Sequence, residues 1–217
     1  CAVVGDRLFT TGHDDGKDTI FCLRTKDGST VWKHSFRADL GDKFYEGGPG
    51  ATPAIEGDRV YLLSKWGDLF CFQSSDGKVI WKQQLRNEVE VRVPTWGFNG
   101  SPTLVGDTLF LNVGSAGMAL QKSDGKILWK SDRDDPGYST PLPVQFESGP
   151  ALLLSSGKAY LAVERNTGKK LWSHRWITRY GVNAADPIMR NNQVFISSGY
   201  NKGCALLEIR DDTVETL

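Results

Sequence analysis

The chain has 217 residues, 26 basic and 26 acidic side chains, 39% hydrophobic residues and seven tryptophans. That is enough apolar material for a packed core, and zero net charge supplies no field to gather nucleic acid or an anionic membrane. No stretch approaches the ~18 consecutive apolar residues of a membrane helix, so this segment is not expected to insert into a bilayer.

Residues 1–36 begin inside a strand pattern, "CAVVGDRLFTTG", with no basic-then-apolar leader ahead of it. They run to Asp27-Gly28 and then Trp32. A second unit, 51–85, opens at Pro53, is cut into four short strands by Gly57-Asp58, Gly67-Asp68 and Asp76-Gly77, and reaches Trp81. A third, 100–133, opens at Pro102 and carries Asp124-Gly125 and Trp129. The fourth, 140–176, has Pro141, Thr167-Gly168 and Trp172, and the fifth, 185–217, runs from Pro187 to "RDDTVETL". The four tryptophans are 49, 48 and 43 residues apart.

Four-stranded units recurring every 40 to 50 residues predict an all-β fold, a β-propeller of antiparallel blades. No Pro- or Ser-rich linker separates the units, so the chain reads as one domain with almost no helix. Asp-Gly is expected as a two-residue hairpin turn of positive φ between the third and outermost strands. Trp32, Trp81, Trp129 and Trp172 then fall at one position of that outer strand, each placed to bury about 150–250 Å² on the neighbouring blade. Cys22 and Cys71 fall where the next two units have Ala119 and Ala162, which predicts a small-residue packing slot; a cross-blade disulfide or a metal site is the alternative. The first unit lacks its Pro, and the fifth is expected to lack its outer strand, because it stops before a Trp. We therefore expect four and a half to five blades of a larger, eight-bladed ring, with a closed five-bladed ring as the alternative. Cys1, with no tether before the first strand, reads as a truncation point rather than a lipidated terminus.

Connections between blades line one face of such a fold and its channel mouth. Here they are residues 37–50, 86–99, 133–139 and 176–184. They hold Tyr45, Arg92, Trp96, Phe98, Asn99, Tyr138, Arg179, Tyr180 and Asn183, with Asp186 beside them. Aromatics, arginines and carboxamides that the repeat does not require predict a ligand- or partner-binding face. Alternatively, Trp96 and Tyr180 cover the ends of inner strands, or stack on a sugar or polymer. "HDDGKD" (13–18) lacks the closing Glu of a calcium loop and reads as a solvated turn. His34 and His174 are expected at the solvent rim. No metal site is expected.

The outer-strand motif in "TKDGSTVWK", "SSDGKVIWK", "KSDGKILWK" and "RNTGKKLWS" resembles the repeat of the PQQ-binding-like propellers, a superfamily holding quinone-dependent alcohol dehydrogenases and non-enzymatic BamB-like proteins. "VPTWGFNGSP" and "NAADPIMRNNQVFISSGYNKGCALLEI" are similar to uncharacterised bacterial PQQ-repeat proteins. The resemblance implies a non-catalytic scaffold in the bacterial cell envelope, periplasmic or otherwise extracytoplasmic, binding a protein or small ligand at the channel mouth without cofactor. The alternative it implies is part of a PQQ-dependent dehydrogenase, which would bring PQQ with calcium and use Asp186 as catalytic base, Asn183 beside it. The vicinal cysteine pair that such enzymes carry is not in this sequence.

Overall fold

The computed structural model describes every residue except 44, 90, 211 and 212, and the side chain of residue 88 is likewise outside the described part. Packing divides the chain into two compact units, residues 1–102 and 103–217.

The first unit holds two four-stranded antiparallel sheets, each in chain order. One is β1 (Ala2–Val4), β2 (Arg7–Asp14), β3 (Lys17–Arg24) and β4 (Thr30–Arg37). The other is β5 (Ala54–Glu56), β6 (Arg59–Leu63), β7 (Asp68–Gln73) and β8 (Val79–Gln84). One turn of helix, α1 (Leu85–Glu88), follows and is capped by the Gln84 side chain, which accepts the Arg86 N–H. With this single turn among the described residues, the helix content is as low as the sequence predicted.

The second unit has three such sheets: β9 (Thr103–Val105), β10 (Thr108–Leu111), β11 (Met118–Gln121) and β12 (Ile127–Lys130); β13 (Leu142–Phe146), β14 (Gly149–Ser155), β15 (Ala159–Glu164) and β16 (Lys170–Arg175); and β17 (Ile188–Arg190), β18 (Gln193–Ser198), β19 (Gly203–Arg210) and β20 (Thr213–Thr216). The fifth sheet therefore has its outer strand, against expectation. Backbone pairing of β20 with β19 needs no tryptophan. The part of that expectation placed on Asp211 and Asp212 lies outside the described residues.

The Asp-Gly turns are longer than the sequence suggested. Five residues, Ser74 to Lys78, separate β7 from β8. Gln73 N–H donates to Lys78 O at 2.8 Å, and Gly77 N–H turns back to Gln73 O at 2.9 Å. Gly77 has φ 74°, a conformation that costs glycine nothing. The Asp76 carboxylate accepts the Lys78 N–H at 3.0 Å, an Asx turn that explains the residue before the glycine. Asp27 and Asp124 do the same for Ser29 and Lys126, and the Thr167 hydroxyl for Lys169.

Within each unit, cores lie between successive sheets. Phe9, Ile20, Cys22 and Trp32 pack on Val60, Leu62, Phe70 and Phe72. In the second unit Phe110 and Ala119 pack on Leu152, Leu154, Leu161 and Val163. Leu153, Tyr160, Ala162 and Trp172 pack on Val194, Ile196, Leu207 and Ile209. Trp32 Nε1 donates to Ser74 O at 2.8 Å, and Trp129 Nε1 to Arg165 O at 3.0 Å. Trp32 and Trp172 are buried, whereas Trp81 and Trp129 are half-buried.

Directly across the ladder from the four tryptophans stand Cys22, Cys71, Ala119 and Ala162, all buried. Both buried cysteines are free thiols, and burial pushes the Cys71 thiol up to about 11, away from reactivity. His34 and His174 are half-buried, not at the rim. His34 packs against Phe70 and Phe72 with ring centroids 5.7 and 5.1 Å away.

Candidate functional site

Antiparallel order puts the β2–β3 type of turn and the links between sheets at the same end of the strands. The loops there carry most of the residues singled out in the sequence. In the first unit they converge on Lys65, in the β6–β7 turn, whose side chain is buried. Its ammonium donates to Leu40 O at 2.9 Å and Gly41 O at 3.0 Å. It also lies 4.5 Å from the centroid of the Tyr45 ring and 5.4 Å from that of Trp66, within cation–π range. Tyr45 meets Trp96 edge-on at 5.7 Å and its hydroxyl donates to Trp96 O. Gly41 and Gly97 let two links close over the lysine, since a Cβ at either would overlap its side chain.

Phe98 is buried, and its N–H donates to Lys65 O at 3.0 Å. Asn99 spends its amide on Trp96 O and Gly97 O. Arg92 is exposed. Next to the cage is an open cleft of about 850 Å³, with His13, Arg37, Asp39, Trp66, Gln84 and Arg86 among its walls. On its β2–β3 side His13 Nδ1 lies 2.8 Å from Asp18 Oδ1. Asp18 is buried, and desolvation raises its pKa despite the opposing influence of His13 and Lys65. The 13–18 segment is thus a solvated turn only at its tip.

In the second unit Asn183 is fully buried. Its Nδ2 donates to Ser156 O and Trp176 O, each at 2.9 Å, and its Oδ1 accepts from the Ser198 hydroxyl at 3.1 Å. Buried Tyr138 donates its N–H to Asn183 O at 2.8 Å. Outside this network, Tyr180 and Tyr200 form an edge-on pair at 5.1 Å, and both stay open to solvent, at 52% and 54%. The Arg179 guanidinium lies 5.3 Å from the Tyr180 ring centroid, and Lys202 Nζ 4.4 Å from that of Trp176. Tyr200 holds φ 58°, a left-handed conformation that is an outlier for an aromatic residue and turns its ring outward from the β18–β19 turn.

Asp186 accepts the Thr140 N–H at 2.7 Å, and in the first unit Ser101 Oγ accepts the Thr52 N–H at 2.9 Å. Both acceptors immediately precede the opening proline of a repeat, and Asp186 ties the fifth sheet to the fourth within the second unit. The polar residue ahead of each Pro was the sequence signal for this tie. Lys65, Trp66 and Tyr200 also escaped the sequence reading; their signal was the bulk of "SKWG" and "GYNK" in turns that elsewhere are short or small.

In the quinone-dependent alternative Asp186 would serve as base with Asn183 beside it. The Asn183 amide is spent inside the fold at both ends and does not fit as a donor to such a group, while Asp186 engages the Thr140 N–H with one carboxylate oxygen. Among the described residues no three His, Cys, Asp or Glu side chains gather as a metal site, and no helix is long and apolar enough to cross a membrane.

Four-stranded sheets laid down in chain order, with an indole of one sheet reaching the turn of the next, define a β-propeller built from PQQ-type repeats. The chain belongs to the family described as outer membrane protein assembly factor BamB, whose model matches residues 16–215. No curated protein sequence matches it. Among solved structures it is similar to BamB from Moraxella catarrhalis, at 16% identity and a TM-score of 0.66, covering 99% of this chain and 62% of that one. It is also similar to the quinohemoprotein alcohol dehydrogenase ADHIIG from Pseudomonas putida HK5 (15% identity, TM-score 0.60, 95% and 38% covered). The computationally designed Ika8 protein is a third (8%, 0.55, 93% and 58%). The chain thus spans less than two thirds of each. At these identities the likeness is one of fold, and a fold alone carries no activity.

Proposed function

We propose that this chain is a non-catalytic scaffold of the bacterial cell envelope, periplasmic or otherwise extracytoplasmic, whose loop face holds a protein partner. Membership of a family described by outer-membrane assembly supports the compartment. The observation that carries the partner is the Tyr180–Tyr200 pair, two rings left more than half exposed beside Arg179. Exposed aromatics and arginine are the residue types that anchor protein interfaces. The first unit has a surface of its own of the same kind, with Trp96, Tyr45 and the exposed Arg92, supported from within by Phe98 and Asn99, while Tyr138 and Asn183 support the Tyr180 surface of the second unit.

A photoreactive amino acid placed at Tyr180, in cells of the source bacterium, should capture a discrete protein. The same group at Leu128, exposed on β12, should not. Equal capture at both positions, or none, would count against the reading. The competing dehydrogenase reading predicts alcohol-dependent dye reduction once PQQ and Ca²⁺ are added, lost in Asp186→Asn; the scaffold reading predicts none.

A further inference from the structure

The open cleft beside Lys65 is walled by the β2–β3 turn and the link after β4 on one side. The β6–β7 turn, the end of β8 and α1 form the other. Two acids of this region are already engaged. Asp18 is buried against His13, and Asp68 lies 3.0 Å from the Lys82 ammonium. Arg37 and Arg86, also on the cleft, are both exposed. Among the described residues no ion pair engages either guanidinium. Only Asp39 stands against them in the walls, so the cleft carries surplus positive charge in a chain whose net charge is zero.

Trp66 is fixed between the walls. Its indole N–H donates to Asp39 O at 2.7 Å, and its ring stays half-buried. Three polar atoms around it have no partner among the described residues. They are His13 Nε2, whose Nδ1 holds Asp18; Asp39 Oδ2, whose companion oxygen accepts the Gly41 N–H; and Gln84 Nε2, whose Oε1 caps α1. Aliphatic lining is confined to Ala38 and Leu40, too little to anchor a hydrophobic side chain.

We propose that this cleft binds an acidic oligosaccharide, a short chain of sugar rings that carry carboxylates. The guanidiniums of Arg37 and Arg86 take the carboxylates, as arginine does in its strongest hydrogen bonds. Asp39, Gln84 and His13 supply the mixed acceptors and donors that hydroxyl groups require, and the Trp66 ring meets the apolar face of a sugar. A volume of about 850 Å³ is that of a small-molecule site. The site is separate from the Tyr180 surface and stands or falls without it.

Isothermal titration calorimetry of the full chain with trigalacturonate tests this. Maltotriose serves as the neutral sugar, and tricarballylate as a carboxylate without a ring. Trigalacturonate should bind at least ~10-fold more tightly than either, since each lacks one half of the recognised chemistry. Arg37→Gln and Arg86→Gln should each weaken trigalacturonate at least ~10-fold. Both positions are exposed, and circular dichroism with thermal melts checks that the variants fold. Arg24→Gln removes the same charge from the end of β3 away from the β2–β3 turn and should leave binding unchanged. No binding of trigalacturonate, tricarballylate or maltotriose binding as tightly, or an equal loss in Arg24→Gln would each overturn the proposal.

Discussion

The ring of Trp32 lies directly on Gly77. A Cβ at that glycine would come within 2.5 Å of Cε3 and 2.7 Å of Cδ2, and the indole N–H passes beyond it to Ser74 O. Glycine is therefore required there twice, for its φ and for the ring it supports. Gly28 has nearly the same φ with no atom over it. Gly77→Ala should cost about 2–4 kcal/mol, combining backbone strain with displacement of the ring, and Gly28→Ala about 1 kcal/mol from strain alone. Equal losses in denaturant unfolding would show that the ring contact contributes nothing.

Lys65→Met keeps the apolar stem but leaves Leu40 O and Gly41 O without their donor. We expect a loss of about 1–3 kcal/mol and changed tryptophan fluorescence from Trp66 and Trp96. Tyr180→Ala should change stability by no more than about 0.5 kcal/mol, as at other exposed sites, while abolishing capture through a photoreactive group placed instead at the neighbouring Tyr200.

Asn183→Ala should be among the costliest polar substitutions, at about 2–4 kcal/mol, because it strips the donors from two carbonyls in a buried site. Asp186→Ala should cost about 1 kcal/mol, the worth of one hydrogen bond to Thr140. A measured order with Asp186 the costlier of the two would contradict these roles.

Burial lowers the pKa of His34, and with it that of His174, below the ordinary 6.5, with Lys82 and Lys202 adding to the effect. In the window below 6.5 the unfolded chain binds more protons than the folded one, so stability falls as pH drops and levels off once the folded imidazoles titrate. Above 6.5 the histidines contribute no slope. Asp18, raised by burial, acts with the opposite sign nearer the carboxylate range. His34→Gln and His174→Gln should flatten the decline just below pH 6.5 in urea midpoints measured against the unaltered chain. An unchanged profile would rule these histidines out as its source.

The repeat was legible because docking an indole on a glycine demands particular residue types at fixed positions, and Trp32 and Gly77 announce both. The length of the Asp-Gly turn was not, because it depends on the hydrogen bond from Gly77 N–H to Gln73 O, which any residue types could make. Strand β20 was missed because pairing is a backbone property, and the sequence marked only its missing indole. In the loops, Asn99 and Asn183 read as groups free for a ligand, yet they satisfy carbonyls of their own links. Lys65 was invisible for the converse reason: a charge looks solvent-bound until a distant link supplies carbonyls for it.

Lys65 also gives the molecule an internal clock. An amine sealed under two carbonyls and two rings is closed to acylating reagents until the links at Leu40 and Trp96 part, whereas an exposed amine such as Lys26 reacts at once. The lag between the two measures how often this loop cluster opens, residue by residue and without unfolding the sheets beneath. A partner seated on the loops would lengthen that lag without touching the lysine.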